Sequence, residues 1–308
     1  MITKQMDSTN QNYLNTTLPQ LGLVCITASE TVRFRALTRK RLLLLNDVEQ
    51  QEVLRKLYSD NLQRLGIAID FCLAENIRLY RLTSKLFPFA DEPLGEAILD
   101  EFKETLAQIG ERVNESGIRL VIHPDQFVVL SSEKPEVIEN SIKILQTHAR
   151  TLDLLKQSQS PWNPMEIHGG KSNQSERLIK VIEGLPQPIR SRLALENDEY
   201  AYSASEILDI CKAANVPMVF DAHHHVIHEG LSSYDDPSVG EMLLAARGTW
   251  PVPEWQMVHI SNGQEFFGDK RHSDLITDMP ISYRQAPWIE IEAKQKEIAI
   301  AKLKKEWL

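Results

Sequence analysis

The densest concentration of reactive side chains is Val219-Phe220-Asp221-Ala222-His223-His224-His225, where a carboxylate and three imidazoles follow a run opened by Pro217. Four of the nine histidines lie within residues 221–228. Extended backbone alternates its faces, so Asp221 and His223 share a side while the chain stays extended. Where it turns, Asp221 and His224 converge on one point. Imidazole nitrogen beside carboxylate oxygen suits zinc, manganese or iron, whereas an all-oxygen set suits calcium. A surface loop carrying a few histidines is the bland alternative. Against it stands the way the other apolar runs end.

His123 follows Arg119-Leu120-Val121-Ile122, and His168 follows Met165-Glu166-Ile167. Glu196 follows Arg192-Leu193-Ala194-Leu195, His259 follows Gln256-Met257-Val258, and Glu292 follows Trp288-Ile289-Glu290-Ile291. With Asp221, His224 and His272 the set holds five imidazoles and three carboxylates, enough for two or three ions at roughly four to six ligands each. Glu196 is the natural bridge, because a central carboxylate gives one oxygen to each of two metals. Ions about 3.5–4 Å apart activate water and stabilise the departing oxygen of a phosphodiester. Glu196, Glu292, Asp221 and His259 are expected to carry that chemistry. His148 reads as a surface or packing residue, and His225 and His228 as outer or loop residues. His223 is left open between ligand and partner.

Six strand ends converge only if the strands share one face. Strands are expected at residues 21–27, 77–82, 119–122, 165–167, 192–195, 217–220, 256–258 and 288–291. Helical patterning separates them at 48–74, 97–114, 135–156, 175–182 and up to 214, the last behind a Ser203/Glu206 capping-box spacing. A Lys/Glu-rich helix closes the chain. Strand–helix alternation argues a parallel sheet, and eight units argue a closed (β/α)₈ TIM barrel, an α/β fold whose active sites lie at the C-terminal ends of the strands. An open doubly wound sheet is the alternative, but it would not bring six strand ends around one centre.

The remaining composition sets the context. With 308 residues and 42% apolar content, the chain is long enough for one large domain. Residues 1–18 are polar and read as a disordered tail, leaving 19–308 as a single barrel domain. Apolar runs fall short of the roughly 18 residues of a membrane span. Cys25, Cys72 and Cys211 are widely spaced and read as buried free thiols, in keeping with a reducing cytoplasm. The net charge of −9 by itself argues against a nucleic-acid partner. Its distribution argues otherwise. Arg33, Arg35, Arg39, Lys40 and Arg41 fall in the first βα loop, and Lys85, Lys171, Lys270, Arg271 and Lys294 in later loops of the same face, where phosphate contact is expected.

The strings Ile122-His123-Pro124-Asp125-Gln126-Phe127-Val128 and Ala194-Leu195-Glu196-Asn197-Asp198-Glu199 resemble the ultraviolet damage endonucleases, relatives of the endonuclease IV barrels. Tyr80-Arg81-Leu82-Thr83-Ser84, the Val219 to His225 stretch, Val258-His259-Ile260-Ser261 and Ile291-Glu292-Ala293-Lys294 extend the resemblance to roughly residues 20–296. It implies a (β/α)₈ barrel with a cluster of two or three divalent ions, manganese first and zinc second. It also implies incision of one DNA strand immediately 5′ to ultraviolet photoproducts, cyclobutane pyrimidine dimers and 6-4 photoproducts among them. The family's ligand pattern falls on His123, His168, Glu196, Asp221, His224, His259, His272 and Glu292. Gln126-Phe127 matches a Gln-Tyr pair that wedges into the duplex at the lesion, and Phe keeps the stacking face without the hydroxyl. A monomer in the bacterial cytoplasm, acting on double-stranded DNA and not on membranes, is expected.

Four departures bear on the metal count. Met257 stands where some relatives carry a lysine that becomes carboxylated, and Lys85 where some have a metal-binding histidine. His168-Gly169-Gly170 lacks an extra residue before the glycines, and Leu23 and Thr27 replace Tyr and Asn. A third site with fewer ligands, or a Lys85 contact in place of an ion, follows. Two other enzyme classes share the constellation: a sugar isomerase or epimerase of the xylose isomerase type, and a general abasic-site endonuclease. A non-catalytic damage sensor fits poorly with eight ligand positions. The isomerase would not need the basic loop or an exposed Gln126-Phe127 pair.

Overall fold

The computed structural model describes residues 18–124 and 127–308. Asp125, Gln126 and nearly all of the expected N-terminal tail therefore lie outside the described residues. Eight strands run β1 Gln20–Val24, β2 Leu79–Leu82, β3 Arg119–Ile122, β4 Met165–His168, β5 Leu193–Glu196, β6 Met218–Asp221, β7 Met257–Ile260 and β8 Trp288–Ile291. All pair in parallel, in sequence order, and β8 closes on β1. This is the (β/α)₈ barrel expected from the sequence. No helix among the described residues is long and apolar enough to cross a membrane.

Parallel strands are covered on both faces, which is why these runs are so apolar. The outward residues pack on the helices. Helix Asp47–Ala74, opened by an Asn46/Glu49 capping box, buries Leu54, Leu57, Leu62, Leu65 and Ile69 against the barrel. Each such side chain contributes about 1.5–3 kcal/mol. The inward residues form a separate cluster, with Leu79, Val121, Ala194, Val219, Met257 and Trp288 filling the lower barrel. Below them the buried Arg119 guanidinium lies over the rings of Trp162, Trp288 and Trp250, at 4.7, 5.2 and 5.7 Å.

Two residues further along the same inward columns the character changes from apolar to ionic. Above Leu79 comes Arg81, above Met257 comes His259, and above Trp288 comes Glu290. Likewise His123, Glu196 and Asp221 stand above Val121, Ala194 and Val219, and His168 and Glu292 follow two residues beyond the inward Glu166 and Glu290. The apolar floor thus passes directly into a polar mouth.

Several expected boundaries move. β1 stops at Val24 because Cys25 takes a left-handed backbone (φ 63°), and Cys25 is half-buried instead of fully buried. His259 lies inside β7, whose pairing with β8 continues through His259↔Glu290 and Ile260↔Ile291. Residues 97–114 are divided between helices Pro93–Glu101 and Lys103–Ser116, with the break at Phe102. The histidine-rich stretch after β6 is a short helix, Ala222–His228.

Candidate metal centre at the barrel mouth

Glu196, 1% exposed at the end of β5, is the hub of the site. Its Oε2 lies 3.0 Å from His123 Nε2 and 3.7 Å from His168 Nε2. Its Oε1 lies 2.9 Å from His259 Nδ1 and 3.5 Å from His224 Nδ1. The carboxylate therefore divides its two oxygens between two pairs of imidazoles. Asp221 joins the second pair, with Oδ2 4.0 Å from His224 Nδ1. Glu292 Oε1 stands 3.8 Å from His259 Nδ1, and its Oε2 is 3.9 Å from His272 Nε2. All eight expected ligand positions are thus brought together, His272 at the periphery.

Local structure explains the convergence around β6. Asp221 caps helix Ala222–His228, its Oδ1 accepting the His224 N–H at 2.8 Å. The helical turn after Asp221 swings His224 to the mouth and His223 away from it. His223 is fully buried between the Tyr234 hydroxyl (2.6 Å) and the Asp269 carbonyl (3.0 Å), so it is a packing partner and not a ligand. His225 lies 3.0 Å from Ser238 Oγ, and His228 Nδ1 lies 3.2 Å from the Asp198 carbonyl. His148 sits within helix Pro135–Leu154. After β4 the chain turns at Gly170 (φ +86°), where a Cβ would come within 2.6 Å of Ser131 Oγ.

The donor set fits divalent metal. His123, His168 and Glu196 form one group of ligand atoms all within 4.8 Å of one another, and Glu196, Asp221 and His224 form a second. Asp221 Oδ2 and His168 Nδ1 are buried with no hydrogen-bond partner, a costly arrangement for a carboxylate oxygen unless a cation satisfies it. His123 Nδ1 lies 3.0 Å from the Pro124 carbonyl and donates to it, which leaves Nε2 as the lone-pair nitrogen facing Glu196.

Electrostatics follow the same division. Burial opposes ionisation of Glu196, but the His259 and His168 imidazoles outweigh it and hold the carboxyl well below its usual range. Burial likewise disfavours a charged His224, yet Asp221, Glu196 and Glu199 together raise it to about 9. Protons bind where metal would.

Three residues that sequence reasoning missed lie just beneath. Arg81 bonds Glu290 and Glu292, and Glu166 and Glu290 both face His259. The available signal was a charge inside a fully buried strand, two positions before a ligand: Glu166 before His168, and Glu290 before Glu292. They also correct the expected role of Lys85. Lys85 is exposed beyond the end of β2, lining a groove with Phe127 and Arg39, whereas the cation from β2 that reaches the cluster is Arg81. Met257 is fully buried in the apolar layer below.

Around the mouth the loop residues are less uniform. Arg33 pairs with Glu30 at 3.6 Å, Arg35 with Asp60 at 3.3 Å, and Arg39 with Glu92, so the basic loop is partly neutralised. Lys171 and Lys270 are exposed, and Lys270 Nζ lies 3.1 Å from the centre of the Tyr200 ring. Phe127 is 67% exposed, which excludes a core role for it; its partner Gln126 lies outside the described residues. Tyr200 and Phe266, exposed to a similar degree on the loops after β5 and β7, were not anticipated. Beside the Glu196 cluster opens a cavity of about 320 Å³, lined by His123, His168, Gly170, Lys171, Glu199 and Tyr200 among others.

Residues 19–308 match the family model described as UV-endonuclease UvdE. The chain belongs to the UV-endonuclease UvdE family. Within it, the chain is 58% identical over 292 residues to a UV DNA damage endonuclease of Nostoc sp., covering 94% of this chain and 91% of that one. A protein of the same description from Deinococcus radiodurans is 49% identical over 290 residues, covering 93% and 95%. The crystal structure of SacUVDE superposes with a TM-score of 0.78 at 27% identity, covering 93% of this chain and 98% of that one. A UvdE family barrel with Glu196 at its hub is consistent with hydrolysis of DNA.

Proposed function

We propose that this UvdE family member is a DNA repair endonuclease that nicks duplex DNA immediately 5′ to cyclobutane pyrimidine dimers and 6-4 photoproducts. The observation that carries the reading is Glu196, a buried carboxylate whose two oxygens each face a separate pair of imidazoles at the barrel mouth. His123, His168, Glu196, Asp221, His224, His259, His272 and Glu292 would hold two or three divalent ions, manganese first and zinc second. When bound, such ions supply an acidified water and neutralise the developing charge on a phosphodiester.

The chain's own residues do the rest. Glu196, Asp221, His259 and Glu292 set the positions of the charges at the reacting centre. Lys171 and Lys270, with Arg33, Arg35 and Lys85 further out, supply positive charge for the phosphates on either side. Gln126-Phe127 enters the gap left when a poorly stacked lesion is extruded, an extrusion that costs less for a damaged step than for an intact one. The exposed Phe127 face supports that assignment. The protein acts as a monomer in the cytoplasm.

The test is a nicking assay on irradiated, abasic and intact duplex of one sequence, run with manganese. Incision on the irradiated duplex alone, at the 5′ side of the lesion, is the expected result. Equal or faster cutting of abasic duplex would replace this reading with a general abasic-site endonuclease. Absence of cutting together with turnover of an aldose would replace it with a sugar isomerase.

A further inference from the structure

Among the eight ligand positions His259 is fully buried and has both ring nitrogens engaged by carboxylates. Nδ1 looks up, 2.9 Å from Glu196 Oε1 and 3.8 Å from Glu292 Oε1. Nε2 looks down, 2.7 Å from Glu290 Oε2 and 3.1 Å from Glu166 Oε2. Arg81 Nη2 lies 2.9 Å from Nε2, but a guanidinium has only donors, so it accepts nothing from the ring. The two groups stand side by side, both donating to Glu290 Oε2.

Glu166, His259 and Glu290 have the spacing of a metal site in their own right. Arg81 already fills it. Its guanidinium bonds Glu290 and comes within 3.8 Å of Glu166, supplying the positive charge an ion would bring. The layer is therefore a support for the ring above it. Both ring nitrogens face carboxylate oxygens, so with an ion at Glu196 taking the Nδ1 lone pair the ring proton falls to Nε2, where Glu290 and Glu166 accept it. A lone pair 2.9 Å from a carboxylate is repelled unless a cation lies between them.

We propose that Glu290 and Glu166, neutralised by Arg81, are positioning residues that lock His259 as its Nε2–H tautomer and so present Nδ1 to the ion held by Glu196. The proposal rests on the reading of the Glu196 cluster as a metal centre. It extends the general pattern in which a carboxylate orients a metal-binding imidazole from behind. Here one carboxylate comes from β8, the strand paired with β7, and the other from β4 across the barrel, on the same inward columns as Glu292 and His168.

Two measurements on the full chain test it. In protein labelled with ¹⁵N-histidine and loaded with diamagnetic zinc, long-range proton–nitrogen correlation reads the tautomer, with His259 assigned against a His259→Gln sample. The expected result is Nε2–H. Separately, manganese affinity is titrated by electron paramagnetic resonance for Glu290→Gln and Glu166→Gln. It should fall about 10–100-fold for Glu290→Gln, with partial recovery in Glu290→Asp. An Nδ1–H signal with zinc bound overturns this proposal alone, as does unchanged manganese affinity in a folded variant. If Glu290→Gln does not fold, the tautomer of the unaltered chain and the Glu166→Gln titration decide. A chain that binds neither metal overturns this proposal and the metal-centre reading together.

Discussion

Glu196 Oε1 lies 2.9 Å from His259 Nδ1, and both side chains are sealed from solvent in the barrel mouth. Neither group is available for ordinary surface chemistry, and each is charged or polar on both sides. Replacing Glu196 with Gln removes the charge shared by four imidazoles while keeping its shape. Incision should fall by more than about a hundredfold, the upper end of what losing a partner one step further out costs. Binding to duplex should persist, because the cations that meet phosphate lie on the loops. Substantial nicking by a folded Glu196→Gln protein supplied with manganese would remove Glu196 from the centre of the reaction.

Met257 has no amine to carboxylate, and it is enclosed by the apolar layer two residues below His259. Incision should therefore be insensitive to added bicarbonate and to removal of carbon dioxide. A nicking rate that collapses in degassed buffer and returns with bicarbonate would show that another lysine has been missed.

Lys171 and Lys270 are exposed on βα loops at the mouth, so their contribution to binding is electrostatic and indifferent to sequence. Lys171→Ala and Lys270→Ala should each weaken irradiated and intact duplex alike, and each should lower the slope of log affinity against log salt by about 1. Fluorescence anisotropy across a salt series reads this directly. An unchanged slope would place the residue outside the DNA path.

For lesion recognition the decisive change is Gln126→Ala combined with Phe127→Ala. Base stacking on one aromatic face contributes roughly 1–3 kcal/mol. Affinity for irradiated duplex should fall about ten- to a hundredfold, while affinity for intact duplex and metal content stay as they were. If both affinities fall together, or if metal is lost, the pair shapes the loop and does not read the damage.

Metal removal should be visible in stability, because the buried Asp221 Oδ2 has no hydrogen-bond partner and would lose the cation that satisfies it. A hundredfold excess of metal over its dissociation constant stabilises the folded state by about 2.7 kcal/mol. For a chain of this size that shifts the melting temperature by roughly 4 °C. Calorimetry with and without chelator measures it, and an unchanged transition would mean that the cluster holds its charges without an ion.

The sequence alone determined the barrel and the membership of its mouth. Eight apolar runs, six of them ending in His, Glu or Asp, are a local pattern, and each strand's alternation is legible within four residues. Which residues of a strand face inward, and at what height, is not local. That depends on the register in which eight strands close, such as His168↔Glu196 and His259↔Glu290. Only closure put Arg81, Glu166 and Glu290 under His259, and only the turn into helix Ala222–His228 separated His224 at the site from His223 behind it. Tyr200 and Phe266 looked like ordinary loop residues for the same reason. Their exposure beside the mouth is set by how the loops pack on the rim, a long-range matter that no window of neighbouring residues contains.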